Sequence, residues 1–382
     1  MPDRSAITLE IAPALFVAGD PVEGEVVLDF PLVQEEEIEE IVVKLRGSIR
    51  TQTRLGESYL IETTKVVHEN KSLWSRGHVY PPPDTHVLRL PFKFELPARG
   101  PSSFDFTGFG KSASVRYMIQ VIGVRGIFHL DRIIKRPLAV VQPDPRGAEL
   151  RLELHAGWRG EWGRRNQEEK IRKGIWGDYS TVKAELWIPH MDTLPLFVPI
   201  PFTVKVTSIT APTKLKDTHP EEPIFPTIPQ TASEIELELR RTISLTARNV
   251  SSDAEEIVAE LLTSVPNHAA VVEMAEKIWI PKGDDGKGTW VQETKFHSTM
   301  TLRCPPTFKL ETLCVNYYLH LKVPFPGIGN SLRANLPITI SSGVASMVDR
   351  ALHPDTPPTL DLPPAYWDVA GWDLDDHQDH KD

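Results

Sequence analysis

Cysteine is scarce in this chain: Cys304 and Cys314 are the only two among 382 residues. They form no C-x-x-C pair and have no histidine pair nearby, which argues against a zinc site. A secreted chain of this length normally carries more, so a reducing, cytoplasmic compartment is expected. Also missing is any run near the roughly 18 apolar residues that a membrane helix needs. The opening MPDRSAITLEIAP lacks a charged region followed by an apolar core and a cleavage site, so it does not read as a secretory leader. No G-x-S-x-G, H-E-x-x-H or EF-hand pattern occurs. His68, His78, His86, His190 and His219 are scattered without ligand spacing. Phe109-Gly110-Lys111-Ser112 imitates the end of a phosphate-binding loop. Asp105, however, stands where the first glycine is required, and the next residues alternate like a strand instead of opening a helix. No catalytic residue, metal or cofactor is therefore expected, and the chain does not read as an enzyme. Excess positive charge is missing too: the formal net charge is −10, which argues against a nucleic-acid binder.

Proline, by contrast, is abundant, with 34 residues or about twice the usual frequency. Most of these prolines bracket alternating apolar stretches, as expected for a residue tolerated at strand ends and edges but not in central ladders. Period-2 alternation recurs at Ile7–Ile11, Val26–Phe30, Ile41–Leu45, Leu88–Phe94 and Val115–Val121. Short strands joined by Gly/Pro turns predict an all-β fold of sandwich type. A helical reading fits only short pieces such as Ala254–Leu262, where a strand is also open.

The second half of the chain repeats the pattern of the first. Pro101-Ser-Ser-Phe104 precedes Val115-Arg-Tyr117-Met-Ile-Gln-Val121, and some 200 residues later Pro305-Pro306-Thr307-Phe308 precedes Val315-Asn-Tyr317-Tyr-Leu-His-Leu321. Each block is followed by a further strand, Arg136–Val141 and Ala334–Ile340. The division predicted is one sandwich over 1–143, a connection over 144–176, a second sandwich over 177–344 with a proline-rich insertion at 212–229, and a disordered tail over 345–382. From Asp349 onward nine aspartates face one arginine and one lysine, so the tail carries −7 of the net charge and the body is close to neutral. The cluster Glu35–Glu40 falls between two strands and reads as a solvated loop. Asn70 and Asn249 match a glycosylation pattern that has no use in the cytoplasm.

Two segments carry chemistry. The connection is rich in tryptophan and, over Trp158–Lys173, holds six basic residues against three acidic ones. Arginine suits planar phosphate contacts and tryptophan suits membrane interfaces, so Arg164, Arg165, Arg172 and Lys173 are candidate contacts for phosphate or anionic lipid. The competing reading is a linker whose tryptophans pack on both domains while its charges face water. In the tail, Pro363-Pro364-Ala365-Tyr366 stands out. Adjacent prolines favour a polyproline helix before any partner arrives, and aromatic-lined WW grooves bind such pre-set peptides at reduced entropic cost. Tyr366 supplies a flat ring with a polar tip for a second pocket.

Tandem sandwiches ending in PPAY resemble the α-arrestins, specifically the arrestin-like trafficking adaptors of fungi. The residues that carry the resemblance begin with Phe16-x-x-Gly19-Asp20-x-Val22-x-Gly24-x-Val26-x-Leu28 and Leu45-x-Gly47. Phe92-x-Phe94-x-Leu96-Pro97, Pro101-Ser-Ser-Phe104 and Tyr117 complete them. The resemblance covers about the first 345 residues, and departs from the family where Leu196-Phe197-Val198-Pro199-Ile200 replaces the usual Gly-Asp turn. It implies an adaptor that carries a WW-domain HECT-type ubiquitin ligase to transporters or receptors, at the plasma membrane or endosomes, for ubiquitination and endocytosis. Pro363, Pro364 and Tyr366 are the residues that would bind the WW domain. An arrestin-fold scaffold of the retromer-subunit kind, with no ligase, is the alternative.

Overall fold

The structure is a computed structural model that describes residues 5–12, 15–126, 129–174, 176–218, 221–262, 270–283, 286–327, 330–346, 359–369 and 372. Alternation in the sequence becomes alternation in burial. Val87–Glu95 buries every second residue, and Pro199–Ile209 does nearly the same. One face of each strand therefore meets a core while the other meets water or a neighbouring layer.

The fold is all-β, built as two arrestin-like sandwiches of the same topology. In the first, Ile7–Glu10, Pro21–Asp29 and Val87–Glu95 form one antiparallel sheet. Ser58–Ser75, Ile38–Leu55, Lys111–Arg125 and Arg132–Val141 form the other, in that order. The second sandwich repeats both. Tyr179–Pro189, Pro199–Ile209 and Lys287–Thr301 make the first sheet. Val250–Glu260, Glu236–Ala247, Leu313–Pro324 and Ser331–Ile338 make the second. A short parallel pairing closes each copy, Leu15–Val17 on the strand ending at Val141, and Leu194–Pro195 on Ile340–Ser341.

Side chains confirm the repeat. Tyr117 donates its buried phenol to the Pro101 carbonyl at 2.8 Å, and Tyr317 donates to the Pro305 carbonyl at 2.7 Å. Ser103 and Thr307 accept through their hydroxyls from the amides of Val140 and Ile340, each at 2.9 Å. Even the turn that departs from the family pattern keeps its shape. Gly19 has φ +90°, and Phe197, at the matching position, is held at φ +63° despite its side chain. Gly47 and Arg241 are also equivalent, lying opposite Tyr117 and Tyr317. A Cβ on Gly47 would come within 2.8 Å of the Tyr117 ring, so the first copy has no room there for a side chain. The second copy places a guanidinium there, and this lies 4.7 Å from the Phe104 ring of the first.

The sandwiches meet near these equivalent residues. Phe104 and Phe308 pack edge to face with ring centres 5.6 Å apart. Thr51 donates to the Thr246 carbonyl at 2.7 Å, and the Arg248 amide donates to Glu62 Oε2 at 2.7 Å. The ends of the two copies are tied together as well: the Asp144 amide donates to the Val344 carbonyl at 2.7 Å and Ser342 Oγ to the Gln142 carbonyl at 2.6 Å.

One open choice is settled, and two elements differ from the sequence expectation. Ala254–Leu262 carries no helix, because Val250–Glu260 is a strand whose register is fixed by pairing with Glu236–Ala247. The connection 144–176 is not a free linker. Pro145–His155 is a helix, started by Asp144 accepting from the Gly147 amide at 2.9 Å with proline in the first turn. Trp162–Arg172 is then a strand added to the edge of the second sandwich, paired along its whole length with Tyr179–Pro189. Finally, the expected disordered tail does not hold for residues 359–369 and 372, which lie against the body. The rest of that expectation (347–358, 370, 371 and 373–382) falls outside the described residues.

Candidate functional site

The tail segment is anchored by its own tyrosine. Tyr366 is 0% exposed, whereas Pro363 and Pro364 are exposed. Its hydroxyl lies 2.5 Å from the Leu138 carbonyl and 2.7 Å from Ser103 Oγ. A phenol has one proton, and a carbonyl can only accept. Tyr366 therefore donates to Leu138, and Ser103 donates to Tyr366 while accepting from the Val140 amide. Burial pushes the Tyr366 phenol above its ordinary value, so it stays a donor in the physiological range.

Around that anchor the larger apolar groups divide, with Trp367 44% exposed. Leu360, Leu362 and Trp372 are buried, and the Tyr366 ring packs edge to face on Trp367 and Trp372 at 5.2 and 5.9 Å. Arg116 holds the outer side. Its Nε and Nη2 donate to Asp105 Oδ2 at 2.9 and 2.6 Å, and its guanidinium lies 5.0 Å from the Trp372 ring. Burial raises the Asp105 carboxyl and the Arg116 charge opposes that rise. The segment also reaches the second sandwich, where the Asp361 amide donates to the Arg303 carbonyl at 2.9 Å. It is a strap across both domains.

The backbone departs from the extended form expected of PPAY. Pro363 has polyproline angles, φ −61° and ψ 154°, but Pro364–Trp367 forms a single helical turn. The Tyr366 amide donates to the Pro363 carbonyl at 2.8 Å and the Asp368 amide to that of Pro364 at 3.1 Å. The turn swings Tyr366 inward, away from the face that carries the prolines. Sequence reasoning missed Ser103, Leu138, Arg116 and Trp372 as partners of the motif. The signal was present: Leu360, Leu362, Tyr366, Trp367 and Trp372 are five large apolar side chains clustered in a tail that is rich in aspartate.

The four basic candidates do not converge. Strand alternation places Arg164 and Arg172 on one face of Trp162–Arg172 and Arg165 on the other, with Lys173 following the strand. Arg164 lies 5.4 Å from the Trp187 ring and 3.9 Å from Glu185, and Arg172 lies 5.4 Å from the Tyr179 ring. The Lys173 ammonium lies 5.9 Å from the Phe225 ring. Trp176 is exposed, so it packs on neither domain. The phosphate-loop look-alike is a β-hairpin: Gly110 turns at φ +71° between Phe104–Gly108 and Lys111–Arg125. Among the described residues no three His, Cys, Asp or Glu side chains are placed to hold a metal, and no helix is long and apolar enough to cross a membrane. His219 lies outside the described residues.

Residues 6–143 match the arrestin (or S-antigen) N-terminal domain. The match ends two residues beyond the last strand of the first sandwich, so it identifies that sandwich as an arrestin-type N-terminal domain. The second sandwich lies outside the match and repeats the strand pairing of the first. No curated protein matches the chain.

Proposed function

We propose that this chain is an arrestin-like adaptor that brings a WW-domain HECT-type ubiquitin ligase to membrane transporters or receptors, which are then ubiquitinated and internalised. The observation that carries this reading is a conjunction: an arrestin-type domain at one end, and at the other a PPAY whose two prolines face solvent. Pro363 and Pro364 offer the polyproline surface, and Tyr366 supplies selectivity. A lone motif of this kind binds in the micromolar range, about −7 to −8 kcal/mol, so membrane co-localisation or several copies would be needed for firm recruitment. Arg164, Arg165, Arg172 and Lys173 would add peripheral contact with anionic lipid. The working site is the cytoplasmic face of the plasma membrane or endosome.

The burial of Tyr366 decides how the reading is tested. Replacing Tyr366 would disturb the strap as well as any WW contact. Pro364→Ala is cleaner, because Pro364 is exposed and alanine is well tolerated in a helical turn. In cells, Pro364→Ala is expected to leave cargo on the surface and unmodified, with the protein's melting temperature unchanged. A second reading is favoured by the same burial: an arrestin-fold scaffold of the retromer-subunit kind, in which Tyr366 serves only to clasp the domains. Cargo turnover that persists in Pro364→Ala would support the scaffold and defeat the ligase adaptor.

A further inference from the structure

The hydroxyl of Tyr366 is committed twice inside the molecule, and that commitment conflicts with binding a WW domain. A WW groove takes its prolines and the tyrosine from one extended peptide. Here the chain is extended only through Pro363, turns helically from Pro364, and hides the tyrosine ring completely. The prolines alone are on offer. To be read in full, the segment must unwind that turn, break the bonds to Leu138 and Ser103, and withdraw the ring from beside Trp372.

We propose that the seat formed by Ser103, Leu138, Arg116 and the strap's own Leu360 and Trp372 holds PPAY closed, so that seating in cis and WW binding in trans are mutually exclusive. The inference rests on the adaptor reading and adds its regulation. Several features fit a seat built for tyrosine. The slot ends in a carbonyl and a hydroxyl placed to satisfy a phenol, which phenylalanine could not supply. Arg116 donates to the Ala365 carbonyl at 3.4 Å, so the motif's backbone is held as well as its ring. Binding then follows population arithmetic: the apparent dissociation constant is the intrinsic one divided by the fraction of molecules with the strap open.

The test compares one motif in two settings. A synthetic peptide of residues 359–372 and the full chain are titrated against a panel of isolated WW domains. The peptide is expected to bind in the micromolar range, and the full chain about tenfold or more weakly. Leu360→Asp, which puts a carboxylate into a buried apolar position outside PPAY, is expected to bring the full chain to the affinity of the peptide carrying the same change. Trp372→Ala provides a second opening that adds no charge. Equal affinity of peptide and wild-type chain overturns the gate and leaves the adaptor standing. Weak binding by the chain that neither substitution relieves also overturns the gate. A peptide that binds no WW domain overturns the ligase reading, and the gate falls with it.

Discussion

Tyr117, Tyr317 and Tyr366 are fully buried phenols that do one job, donating to a backbone carbonyl that the fold has taken out of water. Leaving such an acceptor without a donor costs about 1–3 kcal/mol. Tyr317→Phe should therefore lower the stability of the chain by about that amount in urea unfolding, because the Pro305 carbonyl loses its phenol donor. Tyr366→Phe should behave differently, since the strap can leave its seat when the bonds to Leu138 and Ser103 go. Its cost is capped by the docking free energy, and the urea midpoint of the body should move less than in Tyr317→Phe. Equal effects would mean that the strap is an integral part of the core. Tyr317 was legible in the sequence through its match with Tyr117. The partners of Tyr366 were not, because Ser103 and Leu138 lie more than 200 residues away and only the tertiary fold brings them together.

The strand Trp162–Arg172 is one of the elements in which the second sandwich departs from the first, an extra edge strand paired with Tyr179–Pro189; short strands are also added on Lys287–Thr301 at the other side of that sheet. A row of charged side chains at an exposed edge discourages further strand pairing, which gives the basic residues a structural use. Any contact with anionic lipid must then follow the alternation of the strand. Reversing Arg164 and Arg172 together removes charge from one face, and reversing Arg165 and Lys173 removes it from the other side. Association with anionic vesicles should respond to one of these pairs and not the other, and should weaken with salt over a screening length of about 8 Å at physiological ionic strength. Equal loss from both pairs would point to non-specific attraction, and no loss from either would return the strand to its edge-protecting role. The helix Pro145–His155 was not read from the sequence, although Asp144 before Pro145 is a helix-start signal. The segment lacks a clear apolar stripe, since its buried residues are only Gly147, Leu150 and Leu154. Strand periodicity carried further, because one face of nearly every ladder is buried and period 2 then survives in the sequence.

At the scale of the molecule, two copies of one sandwich meet through equivalent residues, Phe104 on Phe308, and a single strap crosses both. Repetition made the architecture readable: blocks about 200 residues apart are similar because each builds the same sheet. The strap has no counterpart in the repeat. A tail with many aspartates and no periodicity reads as solvated, and its few apolar side chains have a seat only once both sandwiches are assembled. The account centres on that strap, seated in the free protein and unseated when a WW domain binds. Backbone hydrogen exchange measures this directly. In the free chain the amides of Asp361 and Tyr366, and that of Val140 behind Ser103, should be protected. Saturation with a binding WW domain should expose the Asp361 amide to exchange and raise exchange around Val140. Complete protection of both in the WW-bound complex would contradict the account.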